Sequence, residues 1–342
     1  MSQSPVAAVV LAAGQSTRMR SDAPKVLHEV CGRPMLAFVL DACRAAGIER
    51  VFVVVGHQKQ LVINSFASDA DLAFVEQAEQ KGTGHAVLMC RQALERFDGP
   101  VLVIAGDMPL IRGETLSELA ASHRAAGAAA SLATTVLDDP GGYGRIVRDE
   151  AGALLAIVEE RDCTPDQRAI REVNPSYYCF DRAGLFEALG AVRPDNAKKE
   201  LYLTDVFREL RQRGRTVAAR TVVPAADATG INSRADLAEV NRLMQRRLQE
   251  AVFEGGATIV SPETTWIEAG ATVGAETVIQ PFTFVGAWAR VGRGCALGPF
   301  AWVARRETVP DGATVAGNLG PVERAAAVLA MHRPTVAVAG GR

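Results

Sequence analysis

Val6-Ala7-Ala8-Val9-Val10-Leu11-Ala12-Ala13-Gly14-Gln15-Ser16-Thr17-Arg18-Met19, with Pro24-Lys25 shortly after it, decides how the rest of the chain reads. The run Val6 to Leu11 has the length and β-branched content of a strand buried on both faces of a parallel sheet. The loop that follows is made of small residues, so backbone N–H groups can approach a ligand closely. Arg18 and Lys25 lie within reach of it. Amides that bind oxygens beside two cations suit a polyphosphate. The spacing fits neither G-x-G-x-x-G nor G-x-x-x-x-G-K-[ST], which argues against the dinucleotide fingerprint and the P-loop. A plain strand–helix turn would account for the glycine alone. It would not account for the two cations.

Beyond this stretch, the first two thirds of the chain alternate strand-like and helix-like segments. Val51-Phe52-Val53-Val54-Val55-Gly56 and Val101-Leu102-Val103-Ile104-Ala105-Gly106 are short apolar runs ending in glycine. Amphipathic stretches, Met35 to Ala46 and His85 to Arg96, lie around and between them. The βαβα pattern predicts an α/β fold with a Rossmann-like, mostly parallel sheet and helices on both faces. Ligands of such sheets bind beyond the carboxyl ends of strands. Gly14 and Asp107 both fall at such ends, so the fold would bring together residues far apart in sequence.

A helical connector follows. Ser233 and Asp236 read as a capping box, Leu237, Val240, Met244, Leu248 and Ala251 recur at three and four, and Gly255-Gly256 stops the helix. Then the period changes. Ile267, Val273, Ile279, Val285, Val291, Leu297, Val303, Val309 and Val315 are aliphatic at every sixth residue. A six-residue repeat with one aliphatic per repeat predicts a short left-handed parallel β-helix, three repeats to a coil and about three coils in all. A plain antiparallel β domain would alternate with period two. The boundaries expected are 1–232 for the α/β domain, 233–255 for the helical linker, 256–319 for the β-helix and 320–342 for a tail.

Composition sets outer limits. The chain has 342 residues, enough for two domains, with 48 % hydrophobic and 22 % charged residues. A formal charge of -2 gives no electrostatic reason to expect nucleic acid or an anionic membrane as partner. The six cysteines are scattered with no C-x-x-C pair, as expected of free thiols in a reducing cytoplasm. No apolar run reaches the length needed to span a bilayer. No Lys or Arg precedes the first apolar run, so it reads as a buried strand and not as a signal peptide.

The opening motif resembles the signature of the sugar-1-phosphate nucleotidyltransferases, L-x-x-G-x-x-x-R-M followed by P-K. The resemblance narrows to the bacterial branch that forms UDP-N-acetylglucosamine and pyrophosphate from UTP and N-acetylglucosamine-1-phosphate. Further segments carry it in order: Gln77-Ala78-Glu79-Gln80-Lys81-Gly82-Thr83-Gly84-His85-Ala86, Gly106-Asp107-Met108-Pro109-Leu110, Gly142-Tyr143-Gly144-Arg145, Ile157-Val158-Glu159 and Gly230-Ile231-Asn232. They cover the first two thirds of the chain.

The resemblance implies a role for each matching position. Leu11, Ala12, Ala13 and Gly14 would hold the nucleoside triphosphate, with Arg18 and Lys25 activating its phosphates. Asp107 and Asn232 would hold a Mg²⁺, and Asp107, Arg18 and Lys25 form the expected catalytic set. Gln77 and Gly82 would read uracil, with Thr83 adding a hydroxyl contact and Gln80 a further substrate-binding position. An amide side chain carries the donor and acceptor that the imide edge of the base requires. Gly144, Glu159 and Asn174 would hold the sugar, beside Ala105 and Gly106. Glu200, Tyr202, Thr204 and Asp205 resemble the E-x-Y-x-T-D element and read as positioning groups. His85 reads as structural, because the mechanism gives a histidine no task.

The chain departs from the pattern at two places beside the sugar pocket. It has Asn174-Pro175-Ser176 where the family usually has Asn-Thr-Gly, and the small Ala105 where a larger residue is common. Proline removes a donor and fixes φ. Two other readings therefore stay open: the same chemistry on another sugar-1-phosphate such as glucose-1-phosphate, and a non-catalytic regulatory subunit that binds sugar nucleotides. The full bacterial enzyme also acetylates glucosamine-1-phosphate through a longer β-helix. That activity is not expected here, and His332 reads as a tail histidine. A homotrimer through the β-helix is expected from outward aromatics, Trp266, Phe282, Trp288, Phe300 and Trp302. The alternative is that these rings pack on the 233–254 helix. A tail helix through Glu323 to Met331 would cap the last coil.

Overall fold

In the computed structural model, which describes residues 5–14 and 17–317, the opening apolar run forms β1 (Ala7–Leu11), its first four residues buried. The chain divides into two units, residues 1–27 with 35–236 and residues 28–34 with 237–342. The seven residues 28–34 contain a short hairpin, Glu29–Val30 with Arg33–Pro34, that groups with the second unit although it sits early in the sequence.

The first unit is built on one nine-stranded sheet. Besides β1 it contains β2 (Arg50–Val55), β3 (Leu72–Glu76), β4 (Pro100–Ala105), β5 (Ala130–Val136), β6 (Gly144–Arg148), β7 (Leu154–Val158), β8 (Glu172–Asp181) and β9 (Val217–Thr221). The order is β9-β5-β8-β4-β1-β2-β3, with β6 on β8 and β7 on β6. The centre, β4-β1-β2-β3, is parallel, as the βαβα pattern predicts. β8 enters antiparallel between β4 and β5, and its pairing with β5 shifts register between Val173 and Tyr177. The helices of this unit are α1 (Met35–Ala45), α2 (Lys59–Ser65), α3 (Thr83–Met89), α4 (Gly113–Ala125), α5 (Pro165–Arg168), α6 (Arg182–Ala191) and α7 (Asp205–Gln212). α3 is shorter than the amphipathic stretch His85 to Arg96 suggests, and the chain continues through hydrogen-bonded turns to Phe97. The core draws on β1, β2, β4 and β5 through Val9, Val54, Val103 and Leu132, and on the ring cluster Tyr178, Phe180 and Phe207.

Register positions the site. Leu11 lies opposite Val54 on one side and Ala105 on the other, so β1, β2 and β4 end level. Every loop that carries a candidate group from these strands therefore leaves the same edge of the sheet.

The second unit begins within the first turn of α8 (Arg234–Glu254). Ser233 and Asp236 form the reciprocal cap read from sequence: Asp236 N–H donates to Ser233 Oγ at 3.2 Å, and Asp236 Oδ2 accepts from the Ser233 N–H at 2.8 Å. Two-residue strands from Thr258–Ile259 to Thr314–Val315 then stack in three parallel sheets. Strands beginning at Trp266, Phe284 and Trp302 form one, and those at Thr272, Arg290 and Thr308 another; the steps are eighteen residues, three six-residue repeats to a coil. Each periodic aliphatic is the second residue of its strand, and Ile267, Ile279, Val285, Leu297 and Val303 are essentially inaccessible. The corners recur at the same period in left-handed backbone: Gly270, Glu276, Phe282, Trp288, Gly294, Phe300, Arg306 and Gly312 all have positive φ. Three are glycine; the rest place side chains where L-residues are strained.

The edge of the first coil is closed by two glutamines of α8. Gln245 donates to the Ile267 carbonyl and accepts from the Ile267 N–H at 3.0 Å, as a neighbouring strand would. Gln249 donates to the carbonyls of Pro262 at 2.9 Å and Thr265 at 3.0 Å. An uncovered edge would present unpaired backbone groups. The aliphatic spacing of α8 gave no hint of this polar cover.

Candidate active site

Three short backbone bonds continue the sheet into its loops. Ala12 N–H donates to Val54 O at 2.9 Å, Gly106 N–H to Leu11 O at 2.9 Å, and Gln77 N–H to Val55 O at 2.8 Å. The phosphate-loop candidates Leu11 to Gly14, the Ala105-Gly106-Asp107 turn and Gln77 thus share one rim. Asp107 O in turn accepts from Ile231 N–H at 3.0 Å, which brings the Gly230-Ile231-Asn232 segment to the same place.

Four side chains meet there. Lys25, on the turn Lys25–Leu27, donates from Nζ to Asp107 Oδ2 and to Asn232 Oδ1, the latter at 3.2 Å. Arg18 donates from Nη2 to the same Asn232 oxygen at 2.9 Å. The Lys25–Asp107 pair is mostly shielded from solvent. Arg234 Nε donates to Met19 O at 3.1 Å, tying the turn that carries Arg18 to the start of α8. Residues separated by more than two hundred positions thus form one network. Gly14 lies open: a Cβ there would meet nothing within 4 Å.

The candidate base-reading segment lies beside it. Gln77 is buried, and its Nε2 donates to Gly82 O at 3.1 Å and lies 3.1 Å from His85 Nδ1. His85 therefore serves to hold Gln77. Gln80 Nε2 donates to Ala13 O at 2.6 Å, linking this segment to the candidate phosphate loop. Gly82 has a φ of +103° and a Cβ on it would sit 2.5 Å from Leu201 O, so no other residue fits. Thr83 Oγ1 accepts from Leu203 N–H at 3.0 Å and so anchors the chain opposite.

The sugar candidates occupy β6, the end of β7 and β8. Gly144 pairs with Asn174 across β6 and β8. Asn174 Nδ2 donates to Tyr178 Oη at 2.6 Å and its Oδ1 accepts from Ser176 N–H at 2.9 Å. Ser176 has a φ of +65°, the conformation that a glycine takes without strain. Both ends of Asn174 are thus bonded within its own strand. Glu159 Oε1 accepts from Thr204 Oγ1 at 3.1 Å. Burial pushes the Glu159 carboxyl above its usual range, with the Thr204 bond and the Lys198 charge opposing it.

Sequence reasoning gave Tyr143 no task. Its hydroxyl donates to Ala228 O at 2.9 Å and lies 3.5 Å from Gly230 N, which steadies the segment leading to Asn232. Arg112 pairs with the buried Asp227, whose carbonyl accepts from Tyr177 Oη at 3.1 Å. These contacts join residues distant in sequence, and only the Gly142-Tyr143-Gly144-Arg145 motif hinted at one of them.

Among the described residues no group of three or more His, Cys, Asp or Glu could hold a metal ion. Magnesium does not require one, since it takes one or two protein oxygens and completes its octahedron with water and phosphate. Asp107 and Asn232 fit that demand, because one oxygen of each already converges on a single cationic nitrogen.

Residues 8–211 match the family model of the MobA-like NTP transferase domain, and the chain belongs to that family. The "Bifunctional protein GlmU" of Pelotomaculum thermopropionicum is 48 % identical over 277 residues, 81 % of this chain and 60 % of that protein. The protein of the same name from Pelobacter propionicus is 44 % identical over 276 residues, again 81 % of this chain and 60 % of that protein. The chain spans about 60 % of the length of these curated relatives. Among solved structures, UDP-glucose pyrophosphorylase complexed with UDP-glucose superposes with a TM-score of 0.60 at 18 % identity, covering 71 % of this chain and 99 % of that one. At that identity the likeness is one of fold.

Proposed function

We propose that this chain transfers the uridylyl group of UTP to N-acetylglucosamine-1-phosphate, releasing pyrophosphate and forming UDP-N-acetylglucosamine. The observation that carries the reading is the network of Arg18, Lys25, Asp107 and Asn232 at the carboxyl ends of β1 and β4. In the reaction a phosphate oxygen of the sugar-1-phosphate bonds to the α-phosphorus of UTP. The bond from that phosphorus to the bridging oxygen breaks, and pyrophosphate leaves with the electron pair. The nucleophile is already an anion, so no general base is needed. What the protein supplies is alignment and positive charge.

Arg18 and Lys25 neutralise the phosphates, and the amides of the Leu11–Gly14 loop bind their oxygens. Gln77 and Gly82 hold the base, with Gln80 and Thr83 beside them. Asp107 and Asn232 hold a Mg²⁺, which when bound offsets charge on the transferring phosphoryl group. Glu159, Gly144 and Asn174 take the sugar, with Ala105 and Gly106 beside them.

One observation favours a second reading for the sugar. Asn174 uses both polar ends on Tyr178 and Ser176, which leaves less for an N-acetyl group and would suit glucose-1-phosphate. A regulatory subunit without turnover is disfavoured, because all four charged or metal-binding positions are present and linked in one chain of contacts through Asn232 and Lys25. A panel of sugar-1-phosphates with pyrophosphate release as readout separates the three. Asp107→Ala and Lys25→Ala should each lower kcat about 10²-fold or more, since each removes charge stabilisation from the transition state. Wild-type rates in Asp107→Ala would overturn the metal assignment. A much higher kcat/KM for glucose-1-phosphate would overturn the sugar assignment.

Two supporting proposals concern the setting. Among the described residues no helix is long and apolar enough to cross a membrane. All six cysteines are free and buried, which suits the proposed place in a reducing cytoplasm. Self-association as a trimer through the β-helix is supported by the exposure of Trp266, Phe282, Trp288 and Phe300, between 37 % and 57 %. Phe282 stacks on Phe300 and Phe284 on Trp302, with centroids 5.0 and 3.9 Å apart. Of these rings Trp266 lines a cleft together with residues of α8, which lends the intrachain alternative support at that ring. The proposed tail helix and His332 lie outside the described residues. Light scattering giving a concentration-independent monomer mass would reject the trimer.

A further inference from the structure

The two oxygens assigned to the metal are already shared by one side chain. Lys25 Nζ donates to Asp107 Oδ2 and, at 3.2 Å, to Asn232 Oδ1. Arg18 touches only the second of these, at 2.9 Å. The pair is largely shielded, with side-chain exposures of 16 % for Lys25 and 21 % for Asp107, so water screens the contact incompletely. A magnesium ion would sit about 2 Å from each ligand oxygen. An ammonium and a divalent ion cannot occupy that place together: at such separations two cations repel strongly.

We infer that Lys25 is a placeholder cation, holding the metal position in the nucleotide-free protein and leaving it when a triphosphate arrives. This rests on the reading of Asp107 and Asn232 as metal ligands. The chemistry of the side chain suits the role. Lysine carries a compact charge on a flexible four-carbon stem, so its nitrogen can swing from a carboxylate to a phosphate oxygen while the backbone stays in place. Arg18, held by Asn232 among the described residues, stays beside the site and keeps it from accumulating negative charge.

The consequence is coupling between the two substrates of the site. A divalent ion arriving alone must displace the ammonium from both oxygens and leave it without a partner. A triphosphate supplies that partner and releases the oxygens at the same moment. By linkage the coupling is reciprocal, so the metal favours the triphosphate as much as the triphosphate favours the metal. The protein would thereby resist loading metal without nucleotide, and the position would stay neutralised between turnovers.

The test uses Mn²⁺ as probe, read by the electron paramagnetic resonance of the free ion, on the full chain without nucleotide. Lys25→Met should bind Mn²⁺ about tenfold tighter than wild type, because the competing cation is gone. Arg18→Met makes the same charge change without touching Asp107 and should shift the affinity clearly less. Asp107→Asn should lose Mn²⁺ binding. In a second measurement, with chelator present, Lys25→Met should bind UTP more weakly than wild type. Lys25→Gln serves in the same role if the methionine variant loses its circular dichroism spectrum. Unchanged Mn²⁺ affinity on removing Lys25 overturns the inference, as does an equal gain in Arg18→Met, which would mark a general field effect. If the Mn²⁺ pattern appears while the wild type turns over no sugar-1-phosphate, the activity reading falls and the placeholder stands. If Asp107→Asn binds Mn²⁺ as the wild type does, the ligand assignment falls and takes the inference with it.

Discussion

The two units reach order by opposite routes. In the first, the groups proposed to do the chemistry are scattered, with Arg18 and Lys25 early, Asp107 in the middle and Asn232 at the far end of the unit. They meet only because β1, β2 and β4 end level and the Ile231 N–H bonds back to Asp107. In the second, each strand of the β-helix pairs with one eighteen or twenty residues further on, coil upon coil. Ile267, Val285 and Val303 stack directly upon one another. A site assembled from distant segments is specified by the whole sheet, whereas a coil is specified by its neighbours. The first arrangement concentrates function and the second distributes stability.

The largest effect that would sharpen this contrast lies in the middle of the β-helix. Val285 is fully buried between Ile267 and Val303. Val285→Asp places a carboxylate in an apolar column with no partner and should cost more than about 4 kcal/mol. Hydrogen exchange should then show lost protection from residue 258 to 315, with the amides of β1 and β4 still protected. Loss of protection in both units together would break the contrast, since it would make their folding one event.

A smaller effect tests how the first coil is closed. Gln245 stands in for a strand at Ile267, bonding both its N–H and its carbonyl. Gln245→Ala leaves two buried backbone groups unsatisfied and should cost about 2–4 kcal/mol. Calorimetry of the purified variant reads this as a lower Tm. An unchanged Tm would mean that the edge needs no cover.

These cases also show what the sequence reveals and what it hides. The nine aliphatics from Ile267 to Val315 were legible because a coil repeats one local rule, and each falls on the second residue of a two-residue strand. The corner positions were not legible, because five of the eight carry Glu, Phe, Trp or Arg in a conformation that sequence statistics reserve for glycine. In the first unit the parallel centre followed from short apolar runs ending in glycine. The antiparallel β8 did not, since an apolar strand reads alike in either direction. At the candidate site, a loop glycine and two cations suggest the proposed phosphate subsite from local spacing alone. Asn232 and Glu159 rested on resemblance, and Tyr143, Arg112 and Asp227 stayed hidden because their partners are set by topology.

The smallest effect returns to the first unit and to the stability given up at a proposed binding residue. Burial raises the Glu159 carboxyl above its ordinary range. The folded protein therefore holds this proton more tightly than the unfolded chain does. For a carboxylate shifted upward, stability is lost as pH rises from the unfolded value through the folded one, because ionisation is then penalised only in the folded state. Glu159→Gln keeps the shape, retains an oxygen for Thr204 Oγ1 and has no charge to bury. Its Tm should match the wild type most closely at acidic pH and exceed it increasingly as pH rises past the ordinary carboxylate range, levelling off once the folded group has ionised. The same variant should bind the sugar-1-phosphate more weakly, since a neutral amide accepts sugar hydroxyls less strongly than a carboxylate does. A Tm difference that is constant with pH would show that Glu159 ionises alike in both states and that its burial costs nothing. A difference that shrinks as pH rises would reverse the sign of the shift.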